Sequence, residues 1–173
     1  MNRITYYPIG IAHTPFRIPE GTPIQAAAAK DIQGKIEIFP EYVKGLKDLE
    51  GFSHVIVLFH LHFAKFKSLH VVPFLDTESH GVFATRSPAR PNSIGFSVVE
   101  LEKVENNMLF VKSIDILDGS PILDIKPYIP QFDVFETTRN GWFEANLEQV
   151  HSQKDDGRFA KPDCPSDADE TDV

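Results

Sequence analysis

The side chains best suited to bind an anionic ligand lie between residues 81 and 97, which read GVFATRSPARPNSIGFS. Two guanidiniums, a hydroxyl and an amide fall within seven positions there, at Arg86, Ser87, Arg90 and Asn92. The two prolines among them fix φ at about −65° and cannot donate to a β-ladder, so this part cannot continue as a central strand. Gly95 then allows the backbone to bend or to approach a ligand closely. We expect a stiff polar loop between strands at 81–85 and 96–101, a common setting for a binding site, although an ordinary solvated turn would contain the same residues.

Acidic and imidazole side chains elsewhere could transfer protons or bind cations. Asp118 and Asp124 bound the run DGSPILD, whose glycine allows a close backbone approach, although Asp-Gly is also an ordinary turn dipeptide. Alternation along residues 53–63 places His54, His60 and His62 on one face of a strand. His60 and His62 suggest a metal site, but half-buried histidines with hydrogen bonds are the more common outcome, so no metal is predicted.

Period-2 runs of apolar residues predict the strands that position these groups. They fall at residues 4–11, 35–39, 53–63, 96–104, 108–116 and 122–128. Asn106-Asn107 fits a two-residue hairpin because asparagine tolerates positive φ. Only short helical turns are predicted, at 26–30, 40–49 and 141–151. The chain is therefore expected to be all-β and mainly antiparallel, and we choose a small barrel over a sandwich.

Composition narrows the class of protein. The 173 residues carry a net charge of −8, which argues against a broad phosphate-binding surface. From residue 153 onward, three basic residues stand against seven acids, so the tail contributes −4 and the body the other −4. A local basic patch around Arg86 and Arg90 therefore remains compatible with nucleic acid. The single cysteine, Cys164, and the lack of an apolar run long enough for a membrane or a secretion signal lead us to expect a cytoplasmic protein.

Four segments in order resemble the TsaA-like family, the TrmO-type tRNA methyltransferases. The segment 81–97 is similar to that family's GVFATRSPHRPNPIGLS, and the other three segments are TPIQ at 22–25, DLEGFSH at 48–54 and DGSPILDIKPY at 118–128. The resemblance covers roughly residues 5–135. It implies a β-barrel methyltransferase that uses S-adenosylmethionine, forms a homodimer and N-methylates threonylcarbamoyladenosine beside the tRNA anticodon, at position 37.

The resemblance also implies site residues. The cofactor contacts would be Pro23, Ile24, Gln25, His62, Phe63, Arg86, Phe96, Asp118, Gly119, Ser120 and Pro121. Arg86 suits the cofactor carboxylate, Asp118 or Asp124 the ammonium, and Phe63 or Phe96 the sulfonium. Arg90, Asn92 and Lys126 would bind phosphate or the threonyl carboxylate of the acceptor. A general base would help the ureido-like nitrogen, and Asp124 and His62 are both candidates.

Departures from the family pattern leave alternatives. Ala89 stands where the family often has His, Ile24 where Arg is frequent, and little chain follows residue 135. A barrel that binds the cofactor without methylating tRNA is the second reading, and a cupin-like metal enzyme using His60 and His62 is the third. We divide the chain into a barrel domain at 1–137, a helical segment at 138–152 and an acidic, disordered tail at 153–173.

Overall fold

A computed structural model of the protein describes residues 3–146, 149 and 152–160. The strands are β1 (Gly10–His13), β2 (Gln33–Ile38), β3 (His54–His60), β4 (His70–Val71), β5 (His80–Gly81), β6 (Ile94–Glu105), β7 (Met108–Lys112) and β8 (Pro121–Pro127). Six of them close into a barrel in the order β1-β2-β7-β6-β3-β8, and β4 and β5 form a separate two-stranded sheet. Every pairing is antiparallel. The prediction of an all-β, mainly antiparallel barrel is confirmed.

Alternation along the strands fills the barrel with branched side chains. Val55, Val57 and Phe59 of β3 are buried, and β6 and β7 contribute further inward-facing residues of the same kind. Because side chains alternate across a strand, each of these strands also presents a second face to loops and solvent. The hairpin between β6 and β7 turns at Asn106, whose φ is 56°, as the sequence predicted. The strands predicted at 35–39, 53–63, 96–104, 108–116 and 122–128 correspond to β2, β3, β6, β7 and β8.

Helical structure is short and mostly of the 3₁₀ type. The 3₁₀ helices span Ala26–Ala28, Pro40–Leu46, Leu49–Gly51, Val82–Ala84 and Gly141–Ala145, and the one α-helical turn, α1, spans Pro130–Asp133. Within the described ranges, none of these helices has both the length and the apolar character needed to cross a bilayer. The short helical turns predicted from the sequence are present near 26–30, 40–49 and 141–146. The remainder of the predicted segment at 141–151 lies largely outside the described residues.

The strands predicted at 53–63 and 108–116 end earlier, at His60 and Lys112, and two other predicted strands differ more. The strand predicted at 4–11 begins only at Gly10, because Pro8 has no N–H to donate and the segment before it is exposed. The strand predicted at 81–85 is wrong beyond Gly81. Val82–Ala84 instead forms a 3₁₀ turn closed by the Thr85 amide and hydroxyl, both donating to the Val82 carbonyl. This turn buries Val82 while leaving the Phe83 side chain 78% exposed.

The C-terminal segment at 152–160 packs on the body of the protein. Phe159 is buried in a second apolar cluster with Val71, Val82 and Ala89. Asp155 extends the contact through its backbone, accepting from the Gly21 amide and donating to the Thr22 carbonyl. The prediction of a disordered tail from residue 153 is therefore wrong for residues 153–160, because the burial of Phe159 and the backbone hydrogen bonds of Asp155 together anchor this segment. Residues 161–173, including Cys164, lie outside the described residues.

Candidate functional site

A cavity of about 630 Å³ opens beside one end of the barrel. Its walls come from five stretches of the chain: residues 19–25, 59–64, 83–96, 115–120 and 155–160, together with Phe74. Ligand pockets commonly have this size and this mixture of apolar walls with a few polar groups. Of the predicted site residues, the cavity is lined by Pro23, Ile24, Gln25, His62, Phe63, Arg86, Arg90, Asn92, Phe96 and Ser120. The structure therefore brings together residues that are up to about a hundred positions apart in sequence.

Arg86 lies on the wall of this cavity with its guanidinium fixed from two sides. One terminal nitrogen donates to Gln25 Oε1 at 2.8 Å, and the guanidinium carbon lies 6.0 Å from the centre of the Phe96 ring. The Gln25 contact links the loop at 81–97 to the loop at 19–25. An arginine held in this way presents its remaining N–H groups as a fork, which matches a carboxylate.

Arg90 and the neighbouring hydroxyls stabilise the loop that carries Arg86. Arg90 donates to the carbonyls of Thr85 and Ser87, each at 3.2 Å. The buried Thr85 and Ser87 hydroxyls accept from the amides of Ser87 and Ala89. The proline-stiffened loop predicted from the sequence is thus also cross-linked by hydrogen bonds. Arg90 has a structural function in the loop, in addition to lining the cavity.

Gly95 makes the close approach that the sequence predicted, although to a protein side chain. A Cβ atom at this position would lie 2.4 Å from the Phe59 ring. Phe59 is almost fully buried and itself lines the cavity. The absence of a side chain at Gly95 therefore leaves room for the Phe59 ring at the cavity wall.

His62 and Ser120 meet at another part of the wall. The Ser120 hydroxyl and His62 Nδ1 are 3.1 Å apart, and the His62 ring lies 4.6 Å from the Phe63 ring. Burial lowers the pKa of His62 below its ordinary value. The imidazole is therefore mainly neutral at pH 7 and can accept a hydrogen bond or a proton.

Asp115 is a functional candidate that the sequence reasoning missed. It lies between Ile114 and Ile116, both fully buried in the barrel core, and it lines the cavity. The Ser97 hydroxyl donates to Asp115 Oδ1 at 2.5 Å. Burial raises the pKa of Asp115 to about 6, and the Ser97 hydrogen bond and the Arg86 charge oppose this shift only partly. A lone acid inside the apolar run SIDIL at 113–117 is the sequence signal that could have identified it.

The C-terminal segment contributes residues that were also missed. Asp155, Phe159 and Ala160 line the cavity, and Phe159 packs edge-on against Phe74 with 5.1 Å between the ring centres. Burial raises the pKa of Asp155, whose carboxylate accepts from the Gly157 amide. The acidic, aromatic-poor composition of the whole tail predicted disorder, so these residues near its start were not identified from the sequence.

The motif at 118–121 reaches the cavity only through Ser120. Asp118 instead accepts from the Thr14 amide at 3.0 Å and from Arg17 at 2.6 Å, outside the cavity. Gly119 has a φ of 76° and donates its amide to the Ala12 carbonyl, and Pro121 begins β8. The glycine thus serves a turn, which was the simpler reading of the dipeptide.

Asp124 and Lys126 are likewise placed away from the cavity. Their side chains form a 2.5 Å ion pair on β8 and are 41% and 58% exposed. A register shift opposite Leu58 and Phe59 lets Ile122 and Ile125 pack on the core, which leaves the two charged residues facing solvent. Of the two general bases suggested by the sequence, the structure brings only His62 to the cavity.

The metal-enzyme alternative finds no support in the geometry. Among the described residues, no group of three or more His, Cys, Asp or Glu side chains is arranged to hold a metal ion. His60 is exposed at the end of β3, and His62 lies beyond it with Ser120 as its polar neighbour.

Residues 11–134 match the tRNA-methyltransferase O N-terminal domain. The chain belongs to this family. The resemblance to TrmO-type proteins is thereby confirmed, and the fold agrees with it. A crystal structure of TrmO from Pseudomonas aeruginosa, 39% identical in sequence, superposes with a TM-score of 0.68 over 82% of this chain and 63% of that one.

Two curated relatives of this TrmO-family chain carry different names. A probable S-adenosyl-L-methionine-binding protein of Pyrococcus abyssi is 58% identical over 156 residues, which are 90% of this chain and 85% of that protein. The human tRNA (adenine(37)-N6)-methyltransferase is 37% identical over 150 residues, 82% of this chain but 34% of the human protein. The chain thus spans about a third of the human enzyme and less than two thirds of the solved TrmO structure.

Proposed function

We propose that this chain binds S-adenosylmethionine in the 630 Å³ cavity and transfers its methyl group to tRNA. The observation that carries the proposal is the convergence of Gln25, His62, Arg86 and Phe96 on one cavity in a TrmO-family barrel. These positions come from separate segments that the sequence resemblance had marked individually. The names of the relatives agree with this cofactor, since they include S-adenosylmethionine-binding proteins and a tRNA methyltransferase.

The side chains of the cavity fit the parts of the cofactor. Arg86 offers a fork to the carboxylate, and the Phe96 and Phe63 rings offer faces to a sulfonium cation. Phe74 and Phe159 supply an apolar aromatic wall for an adenine. Among the described residues lining the cavity, the acids are Asp115 and Asp155, and Asp155 is suited to an ammonium or an exocyclic amine.

The acceptor we propose is threonylcarbamoyladenosine at position 37, beside the anticodon. Phe83 lines the cavity with its ring 78% exposed, and an exposed aromatic ring can stack on a nucleobase. Arg90 and Asn92 lie on the same loop and can bind phosphate or the threonyl carboxylate. The proposal gives Asp124 and Lys126 no function at the cavity. A tRNA substrate is consistent with the cytoplasmic location expected from the sequence.

A homodimer is part of the proposal. Family resemblance supports it, and so do the exposed apolar side chains of Phe132, Val134 and Phe135, which follow β8 and are 59–78% exposed. A second copy that covered these residues would bury apolar surface and extend the area available to tRNA. Light scattering at micromolar concentration should give twice the chain mass, and a monomer would contradict the proposal.

The alternative is a barrel that binds the cofactor without methylating tRNA. The Pyrococcus relative, of which 85% is covered by this chain, carries a name that states binding only, and the net charge of −8 disfavours broad contact with nucleic acid. Calorimetry with S-adenosylmethionine, followed by transfer of a labelled methyl group to tRNA, separates the two. Binding with transfer supports the proposed enzyme, binding without transfer supports the alternative, and absence of binding rejects both.

A further inference from the structure

The Ser97–Asp115 hydrogen bond lies where the main cavity meets a second one. The second cavity has a volume of about 450 Å³ and shares Gln25, Arg86 and Phe96 with the first. Asp115 lines the main cavity, whereas Ser97 lines the second. The two residues therefore bring a carboxylate to the boundary between two spaces, each large enough for part of a ligand.

The hydrogen bonds of the Asp115 carboxylate fix its position without pairing it with a cation. Ser97 donates to Oδ1, the backbone amide of Asp115 also favours the ionised carboxylate, and within the described part of the chain no other side chain donates to it. The nearby guanidinium of Arg86 is already bonded to Gln25 rather than paired directly with Asp115. Ser97 itself is only 3% exposed, so its hydroxyl is constrained to this partner. A fixed carboxylate that lies at a cavity wall and is not paired directly with a cation has the geometry of a general base.

We propose that Asp115 is the general base that removes the proton from the acceptor nitrogen, and that Ser97 is the residue that positions it. The inference rests on the proposed methyl transfer. S-adenosylmethionine supplies a methyl group whose carbon–sulfur bond breaks as the new carbon–nitrogen bond forms, leaving a neutral thioether. The N–H proton of the acceptor passes to Asp115 Oδ2, and the N–H electron pair remains on the nitrogen that now carries the methyl group.

Chemical need and local environment agree with this assignment. A ureido-like nitrogen is a weak nucleophile until its proton is removed. Burial raises the pKa of Asp115 to about 6, so the carboxylate is a stronger base than a solvated aspartate and is still ionised at pH 7. Arg86 is the charged group that acts on Asp115 among the described residues, and it favours the ionised form. Of the two bases suggested by the sequence, Asp124 lies away from the cavity in an ion pair with Lys126, and His62 has a lowered pKa, which makes it a weaker base than an ordinary imidazole.

The test compares three variants of the full-length protein with the parent. Asp115→Asn keeps the size and the acceptor for Ser97 but removes the base. Ser97→Ala keeps the base but removes its hydrogen bond. Asp48→Asn makes the same chemical change at an exposed position with a φ of 67°, which asparagine tolerates. Each protein is assayed for S-adenosylmethionine affinity by calorimetry and for methyl transfer to an anticodon stem-loop carrying threonylcarbamoyladenosine, between pH 5 and 8.

Asp115→Asn should lose about 100-fold or more in the rate of methyl transfer, while its affinity for the cofactor stays within about threefold of the parent. Ser97→Ala should shift the rise of the rate with pH to higher pH, because the lost hydrogen bond had favoured the ionised carboxylate. Asp48→Asn should behave like the parent. These results together support Asp115 as the base.

Other outcomes overturn the inference in distinguishable ways. An Asp115→Asn variant that transfers methyl groups at the parental rate excludes the base function while leaving the proposed enzyme intact. A variant that loses cofactor affinity more than tenfold assigns Asp115 to the cofactor ammonium instead. A parent that binds the cofactor but transfers no methyl group rejects the proposed function and this inference together.

Discussion

At the scale of single residues, Arg86 has the most direct connection between sequence pattern and site. It follows the 3₁₀ turn at Val82–Ala84 in sequence. Its side chain lies over the Phe96 ring and donates a hydrogen bond to Gln25 on a different loop. Arg86 lines both cavities, so its side chain is placed to contact a ligand in either of them. Its exposed side chain has little to contribute to folding, which makes it a suitable residue for a binding test.

We predict that Arg86→Ala weakens S-adenosylmethionine binding by about 2–3 kcal/mol, the size expected for a charge-assisted pair. Calorimetry measures this loss directly. Arg86→Lys should recover only part of it because an ammonium cannot form the two parallel bonds of a guanidinium. Arg3→Ala, at an exposed position of the N-terminal segment, is the control for lost charge. Parental affinity in Arg86→Ala would show that the carboxylate of the cofactor lies elsewhere.

Asp115 also affects the pH dependence of folding stability, independently of its proposed chemistry. Its pKa of about 6 lies above the ordinary value of 3.8, so the folded state holds this proton more tightly than the unfolded state. The free energy of unfolding contributed by Asp115 is therefore largest below about pH 4 and is lost as the pH rises to about 6. At pH 7 the buried carboxylate destabilises the protein.

We predict that the free energy of unfolding of Asp115→Asn at pH 7 is about 1–3 kcal/mol larger than that of the parent. This difference should shrink toward zero near pH 4. Urea titrations at several pH values measure it. His62 changes stability in the opposite direction, because its lowered pKa makes stability fall as the pH drops below its ordinary value of 6.5. Both proteins contain His62, so its effect cancels in the difference. A variant less stable than the parent at pH 7 would contradict the prediction.

At the scale of elements, the segment at 152–160 completes the cavity by joining two loops. Its backbone pairs with the loop at 19–25, where Lys154 forms a bridge with Pro23. Arg158 donates to the carbonyls of Val72 and Pro73, and Phe159 enters the second apolar cluster beside the small, fully buried Ala89. The position at which the family often has a histidine thus holds a fully buried alanine of the same apolar cluster.

We predict that a chain ending at Ser152 loses about tenfold or more in cofactor affinity, because Asp155, Phe159 and Ala160 are removed from the cavity wall. A chain ending at Ala160 keeps every described contact and is the matched control. Phe159→Ala in the full chain should lower the free energy of unfolding by about 2–4 kcal/mol, as expected for a buried aromatic side chain. Equal cofactor affinity in the two shortened chains would show that the segment is not part of the site.

The sequence predicted elements well where one physical signal dominated. Strict alternation identified β3, β6 and β7, and proline spacing identified the stiff loop that carries Arg86. It failed at Val82–Ala84, where the same apolar letters close a 3₁₀ turn because Val82 packs into a cluster formed by distant residues. It also failed at Asp115 and Phe159, whose placement depends on partners about 20 to 90 positions away that no local pattern specifies.

At the scale of the whole molecule, the net charge of −8 is the feature hardest to reconcile with a tRNA substrate. Affinity must then come from a few local contacts rather than a broad basic surface. Arg90, Asn92 and the exposed Phe83 all line the cavity, and in the proposed function they would supply such contacts. A carboxylate on the acceptor would give one of these cations a specific partner, and an acceptor without it would leave the cation unpaired.

The most direct measurement is therefore labelled-methyl transfer from S-adenosylmethionine to two anticodon stem-loops that differ only in the threonylcarbamoyl group. The account predicts incorporation into the modified stem-loop and at least about tenfold less into the unmodified one, across a series of salt concentrations. Equal incorporation into both would show that the acceptor carboxylate is not recognised. No incorporation into either, by a protein shown to bind the cofactor, would contradict the central claim that this barrel is a tRNA methyltransferase.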